Sequence, residues 1–155
     1  MDVLDSARKR KSAFAAQLAD QDAAMAQLQA RLEAARVEGE RLEVPGVPHL
    51  CKRAVLNLVT NAVRYAKSQV VVRCQRAGAW VQVVVDDDGP GIPAEARAQV
   101  LQPFFRVDAS RTADSGGFGL GLAIVRRIMA VHEGRVEVGE SEWGGARFTL
   151  AFPEG

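Results

Sequence analysis

No glycine or proline occurs before Gly39, yet the chain holds fourteen glycines and six prolines. A stretch free of both breakers can propagate helix, whereas the punctuated remainder must fold as short elements joined by turns. Within the lead-in, Leu4, Leu18, Met25 and Leu32 share one heptad position, and Ala7, Phe14, Leu28, Ala35 and Leu42 share another. This is the narrow apolar seam of one or two amphipathic helices. Lys11, Gln21 and Gly39 interrupt it, so the seam suits packing on the body or on a second copy better than an isolated coiled coil. The run Arg8-Lys9-Arg10-Lys11 reads as a solvated helix face.

The chain's 155 residues suffice for one domain with a real core. Its 48% hydrophobic and 25% charged content argues against disorder. No apolar run is long enough to cross a bilayer, and no signal peptide opens the chain. A net charge of +1 does not indicate a broad basic surface for nucleic acid. Cys51 and Cys74 lack metal-ligand spacing and sit in apolar stretches. They read as small buried hydrophobes, with a disulfide or metal site as the alternative, and a reducing, cytoplasmic setting follows.

The body alternates between element types. Arg41–Val44 is a strand candidate closed by Pro45-Gly46, and residues 48–66 have helical periodicity. Residues 69–75 and 80–87 are β-branched runs joined as a hairpin. Residues 93–101 read as a short helix with proline in its first turn, and 102–117 as a long loop. Residues 120–132 read as a helix that Gly134 can cap, followed by strands at 135–139 and 146–152. The order implies an α+β fold, a mixed sheet with helices on one face.

Three segments carry chemistry. On the helix of residues 48–66, Asn57, Asn61 and Arg64 fall within a sector of about 60°, with Tyr65 beside it. Amide oxygens can ligate a hard cation and an arginine can neutralise phosphate; two solvated polar residues are the plainer reading. In Asp86-Asp87-Asp88-Gly89-Pro90-Gly91-Ile92, only Asp87 keeps the phase of Val81, Val83 and Val85. A buried carboxylate needs a donor, and the exocyclic amine of adenine is one. An acidic turn or a magnesium-binding cluster remain alternatives, though the phase favours one inward carboxylate. Residues 115–122, with Gly116, Gly117, Gly119 and Gly121 at a helix entry, can aim backbone amides at an anion. The spacing fits neither the Rossmann nor the P-loop pattern, and a flexible linker is the other reading.

Taken in order, residues 56–65 (Leu-Asn-Leu-Val-Thr-Asn-Ala-Val-Arg-Tyr), 87–92 (Asp-Asp-Gly-Pro-Gly-Ile), 103–106 (Pro-Phe-Phe-Arg) and 117–125 (Gly-Phe-Gly-Leu-Gly-Leu-Ala-Ile-Val) resemble four motif boxes of sensor histidine kinases. The resemblance spans roughly residues 42–153 and is to the catalytic ATP-binding domain, shared more widely with gyrase, Hsp90 and MutL. It implies a two-layer α/β sandwich of the Bergerat type, with ATP and Mg2+ as cofactors. By this resemblance Asn61 would ligate magnesium and Asn57 would lie beside it near the phosphates. Arg64 and Tyr65 match positions flanking the nucleotide, and Asp87 matches the carboxylate receiving the adenine amine. Gly89, Gly91 and Ile92 complete that loop, while Gly117, Gly119, Leu120, Gly121 and Leu122 match the phosphate side. Arg106 matches an arginine near the terminal phosphate and, with Asn57, would be catalytic. Residues 106–116 would form a lid.

The implied function is donation of the γ-phosphate to a histidine on a dimerisation domain, in the same parent protein or another chain, and through it to a response regulator. No phosphoacceptor motif surrounds His49 or His132, so neither is expected to be the acceptor. Asp88 stands where asparagine is usual, adding negative charge near the pocket. Residues 1–40 would be a helical lead-in, a linker or dimerisation remnant that could also mediate a homodimer. Residues 41–155 would be the catalytic domain. The setting would be cytoplasmic, including the cytoplasmic part of a membrane-anchored parent protein. A non-catalytic nucleotide-binding regulatory module and an anti-sigma-type serine kinase are the competing readings, the latter disfavoured by Pro103-Phe104-Phe105-Arg106.

Overall fold

The computed structural model describes residues 6, 8–13, 15–17, 19–20, 23, 35–39, 41–105 and 120–154. Residues 8–13, 15–17 and 19–20 are helical and exposed. The seam residues Leu4, Ala7, Phe14, Leu18, Met25, Leu28 and Leu32 lie outside the described residues, so the expected seam goes untested. Ala35 packs against the core.

The described body runs β1 (Arg36–Gly39), α1 (Pro48–Tyr65), β2 (Val70–Ala77), β3 (Trp80–Asp87), two 3-10 turns (Ala94–Ala96 and Gln99–Leu101), α2 (Gly121–Val131), β4 (Arg135–Glu140) and β5 (Ala146–Pro153). Five strands form one mixed sheet in the order β1-β2-β3-β5-β4. β1 pairs parallel to β2, and the remaining pairs are antiparallel. The β2–β3 hairpin pairs Ala77 with Trp80 across Gly78-Ala79. Gly78 takes a left-handed φ of 61°, which glycine adopts without strain.

Both helices lie on one face of the sheet, as the pattern of buried residues requires. Ala54, Leu58, Val59, Ala62 and Val63 of α1 and Val125, Ile128 and Met129 of α2 are buried. They meet Val83 and Val85 of β3 and Phe148, Leu150 and Phe152 of β5 in one cluster. Burying each large side chain contributes about 1.5–3 kcal/mol, so this layer is the main source of stability.

Three expectations are overturned. The first strand is Arg36–Gly39, not Arg41–Val44, because the parallel ladder on Val71–Cys74 engages the earlier segment. That strand buries little: Val37 is 80% exposed, and Glu38 instead joins Arg36 and Arg73 in ion pairs at 2.7 and 3.2 Å. Residues 93–101 form two separate 3-10 turns rather than a helix, each pinned by one buried side chain, Ala96 and Val100. At the end of α2 the left-handed residue is Glu133 (φ 55°), not Gly134. Gly134 is needed for space: a Cβ there would stand 2.5 Å from the Ala151 carbonyl oxygen of β5. Cys51 and Cys74 are free and pack, partly buried, against the core, in keeping with their reading as small hydrophobes.

Candidate functional site

β3 carries the key carboxylate. Val81, Val83, Val85 and Asp87 are all buried, Asp87 with 2% exposure. Asp87 Oδ1 accepts hydrogen bonds from the amides of Gly89 (2.8 Å) and Ala146 (3.2 Å), and Oδ2 accepts none from a described residue. Burial pushes this carboxyl above its usual range; the Gly89 and Ala146 amides oppose that shift, and the charges of Asp88 and Asp86 add to it. One oxygen is thus tied down and the other is left for a donor. The turn between β4 and β5 presses directly on this residue. Any Cβ on Gly145 would collide with the Asp87 carbonyl, and one on Gly91 would come within 2.8 Å of the Gly144 carbonyl oxygen.

The two neighbouring aspartates are held elsewhere. Asp86 points to the opposite face of the sheet, fully buried between Arg73 (2.8 Å) and Arg147 (2.7 and 2.9 Å). Asp88 accepts from the amides of Lys67, Ser68 and Gln69 and from the Ser68 hydroxyl at 2.6 Å. Partial burial would raise its pKa, but the Ser68 hydroxyl and these amides outweigh it and lower the group to about 2. Two consequences follow. The acidic-cluster reading is overturned, since no three ligating side chains converge among the described residues. The charge of Asp88, expected near the pocket, is bonded into the turn that follows α1 and still acts on Asp87.

α1 supplies the second wall. Asn57 is half-buried and its Nδ2 donates to the Gly121 carbonyl at 3.3 Å, joining α1 to the first residue of α2. Asn61 and Arg64 are half-buried on the same helix, and Tyr65 is exposed at its last turn. Gly89 is buried so close to the Tyr65 carbonyl that a side chain there would collide with it. Asp87, Gly89 and the end of α1 are therefore adjacent. Ile92 packs on the core, Leu120 and Gly121 are exposed, and Leu122 is half-buried at the start of α2. Arg106, Gly116, Gly117, Gly119 and the expected lid at 106–116 lie outside the described residues.

The two histidines differ in their surroundings. His132 Nδ1 donates to the Ile128 carbonyl at 2.7 Å, while Nε2 accepts from the Val47 amide at 2.9 Å. Its ring also meets Phe152 edge-on at 6.0 Å. His132 thus pins the start of α1 to the end of α2. His49 is exposed in the first turn of α1.

Residues 46–155 match the family of histidine kinase-, DNA gyrase B- and HSP90-like ATPases. The chain belongs to this family. Within it, the chain is 44% identical over 104 residues to the sensor protein RstB of Escherichia coli, an alignment covering 67% of this chain and 24% of RstB. The chain spans about a quarter of the length of the curated relatives it matches. Among solved structures it resembles the mycobacterial sensor histidine kinase MprB, with a TM-score of 0.67 and 28% identity over 83% of this chain and 93% of that one. It also resembles full-length ShkA in complex with AMPPNP, with a TM-score of 0.65 and 26% identity over 83% of this chain and 29% of that one. The α+β architecture read from the sequence is that of these ATPases.

The family motifs do not include every residue that builds this pocket. Ser141, Gly145 and the Ala146 amide converge on Asp87 from a turn 54 or more residues away. The local signal is a serine just past a strand, three residues before Gly144-Gly145.

Proposed function

We propose that the chain is the Mg-ATP-binding kinase domain of a sensor histidine kinase, donating its γ-phosphate to a histidine outside these residues. The observation that carries the reading is Asp87: a buried carboxylate with one oxygen held by two amides and the other bonded to no described residue, at the edge where β3 meets the end of α1. Family membership, and the AMPPNP bound in ShkA, support adenine nucleotide as the ligand.

In this reading the free Asp87 oxygen accepts from the adenine amine, and Gly89, Gly91 and Ile92 border the base. Arg64 and Tyr65 flank the nucleotide at the end of α1. Gly117, Gly119, Leu120, Gly121 and Leu122 border the phosphates, whose charge the N-terminus of α2 attracts. Asn57 and Arg106 act at the transferring phosphate. The Asn61 carboxamide, half-buried and without a hydrogen bond to any described residue, suits a hard cation. Magnesium held there would offset phosphate charge.

Transfer of this kind depends on positioning and charge neutralisation. The acceptor nitrogen forms a bond to the γ-phosphorus while the bridging P–O bond breaks, and ADP leaves with the electron pair. His132 uses both ring nitrogens structurally, which supports an acceptor elsewhere: a histidine-bearing dimerisation domain that in turn serves a response regulator. No described helix is long and apolar enough to cross a membrane, and a cytoplasmic site of action fits the ATP requirement. The lead-in that precedes β1 would connect to that acceptor domain or mediate a homodimer.

Incubation of the chain with Mg-ATP labelled at the γ-phosphate and a cognate histidine-bearing helical domain tests this. Acid-labile label on that domain is expected. Tight ATP binding with no transfer would favour a regulatory module instead, and acid-stable label on serine would favour a serine kinase.

A further inference from the structure

Ser141, immediately after β4, is buried with 5% exposure. Its hydroxyl donates to the Asp87 main-chain carbonyl at 2.6 Å and accepts from the Gly145 amide at 3.0 Å. The turn it belongs to is already closed by the main chain, through Ser141 N to Gly145 O at 2.9 Å and Gly144 N to Ser141 O at 3.1 Å. The hydroxyl is therefore not needed to form the turn; its additional effect is to fasten the turn to Asp87. One residue further on, the Ala146 amide reaches Asp87 Oδ1 at 3.2 Å, while Gly145 packs against the same residue too closely for any side chain.

We infer that Ser141 is a positioning residue for base recognition: it clamps the β4–β5 turn to the Asp87 main chain, so that the Ala146 amide holds one carboxylate oxygen and the other faces the adenine amine. The inference rests on the reading of Asp87 given above. Without the hydroxyl, the buried Asp87 carbonyl loses its donor and the turn can drift. The Ala146 amide then leaves Oδ1, and the carboxylate no longer presents one fixed oxygen. Discrimination for the amine falls, whereas contacts to sugar and phosphates, made elsewhere, do not.

The test compares binding of ADP with binding of purine riboside diphosphate, which lacks the 6-amino group, by calorimetry on the full chain. The wild-type chain is expected to prefer ADP. Ser141→Ala, and the near-isosteric Ser141→Cys with its weak donor, are expected to lower that preference by about tenfold. The change should appear almost wholly in ADP binding, and Ser141→Thr, which keeps a hydroxyl, should retain the preference. Equal weakening of both ligands in Ala and Cys variants, or an unchanged preference, overturns the inference. Loss of preference in Asp87→Asn but not in the Ser141 variants would sink the Ser141 role alone. A wild-type chain with no preference for ADP would sink the Asp87 reading and this inference together.

Discussion

Asp86, Asp87 and Asp88 are identical side chains to which the pleat of β3 and the turn after it give three environments. Asp86 faces away from the helices into two guanidinium groups, Asp87 faces inward to two amides, and Asp88 fastens the turn at residues 67–69. Alternation alone told Asp87 from its neighbours, because a period of two needs no knowledge of tertiary contacts. The partners of Asp88 were not legible, since they lie 19–21 residues away across a hairpin. The depressed pKa of Asp88 fixes a sign. Its folded value of about 2 lies below the ordinary 3.8, so its contribution is fully present above about pH 4 and is lost as pH falls through 2. Asp88→Asn is expected to lower Tm at pH 7 by several degrees and to flatten the acid limb between pH 4 and 2, measured by calorimetry. An unchanged acid limb would show that these hydrogen bonds do not bind the charged form preferentially.

Among the elements, those with a strong hydrophobic period were legible and those held by backbone pairing or single contacts were not. α1, β2, β3, α2, β4 and β5 fall within two residues of their expected bounds because each buries a face or an edge of the same core. β1 escaped because Arg-Val-Glu-Gly has no apolar alternation, and its strand state comes from the ladder to β2. The β4–β5 turn is the least conspicuous element and the one closest to Asp87. Gly145→Ala is expected to cost about 1–3 kcal/mol in denaturant unfolding and to weaken nucleotide binding, because the added methyl group must displace the Asp87 backbone. Gly78→Ala, in a turn with open space on all sides, is the control: it carries only the cost of a left-handed alanine and should leave binding unchanged. His132→Ala tests the link between helices, since it removes the acceptor of the Val47 amide and the ring against Phe152. A loss of about 2–4 kcal/mol is expected, and a loss below about 0.5 kcal/mol would mean that the pin is dispensable.

At the scale of the whole molecule, one apolar layer between two helices and a sheet fixes the edge at which α1, the end of β3 and the start of α2 meet. In the proposed reading that arrangement lets polar residues scattered from Asn57 to Ser141 act on one ligand, which a net charge of +1 does not reveal. It also predicts that the two histidines are dispensable for transfer as acceptors. A chain with His49→Gln should label a cognate acceptor domain as fast as wild type, and label remaining on the chain itself would contradict that. The proposed function rests on the buried Asp87 carboxylate as the group that reads an adenine nucleotide. Its most direct measurement is calorimetric titration of ATP in the presence of magnesium into the wild-type chain and Asp87→Asn, with melting curves recorded for both. Saturable binding by wild type and a loss of at least about tenfold in the variant, with the fold retained, are expected. A folded Asp87→Asn chain that binds ATP as tightly as wild type would contradict the proposed function.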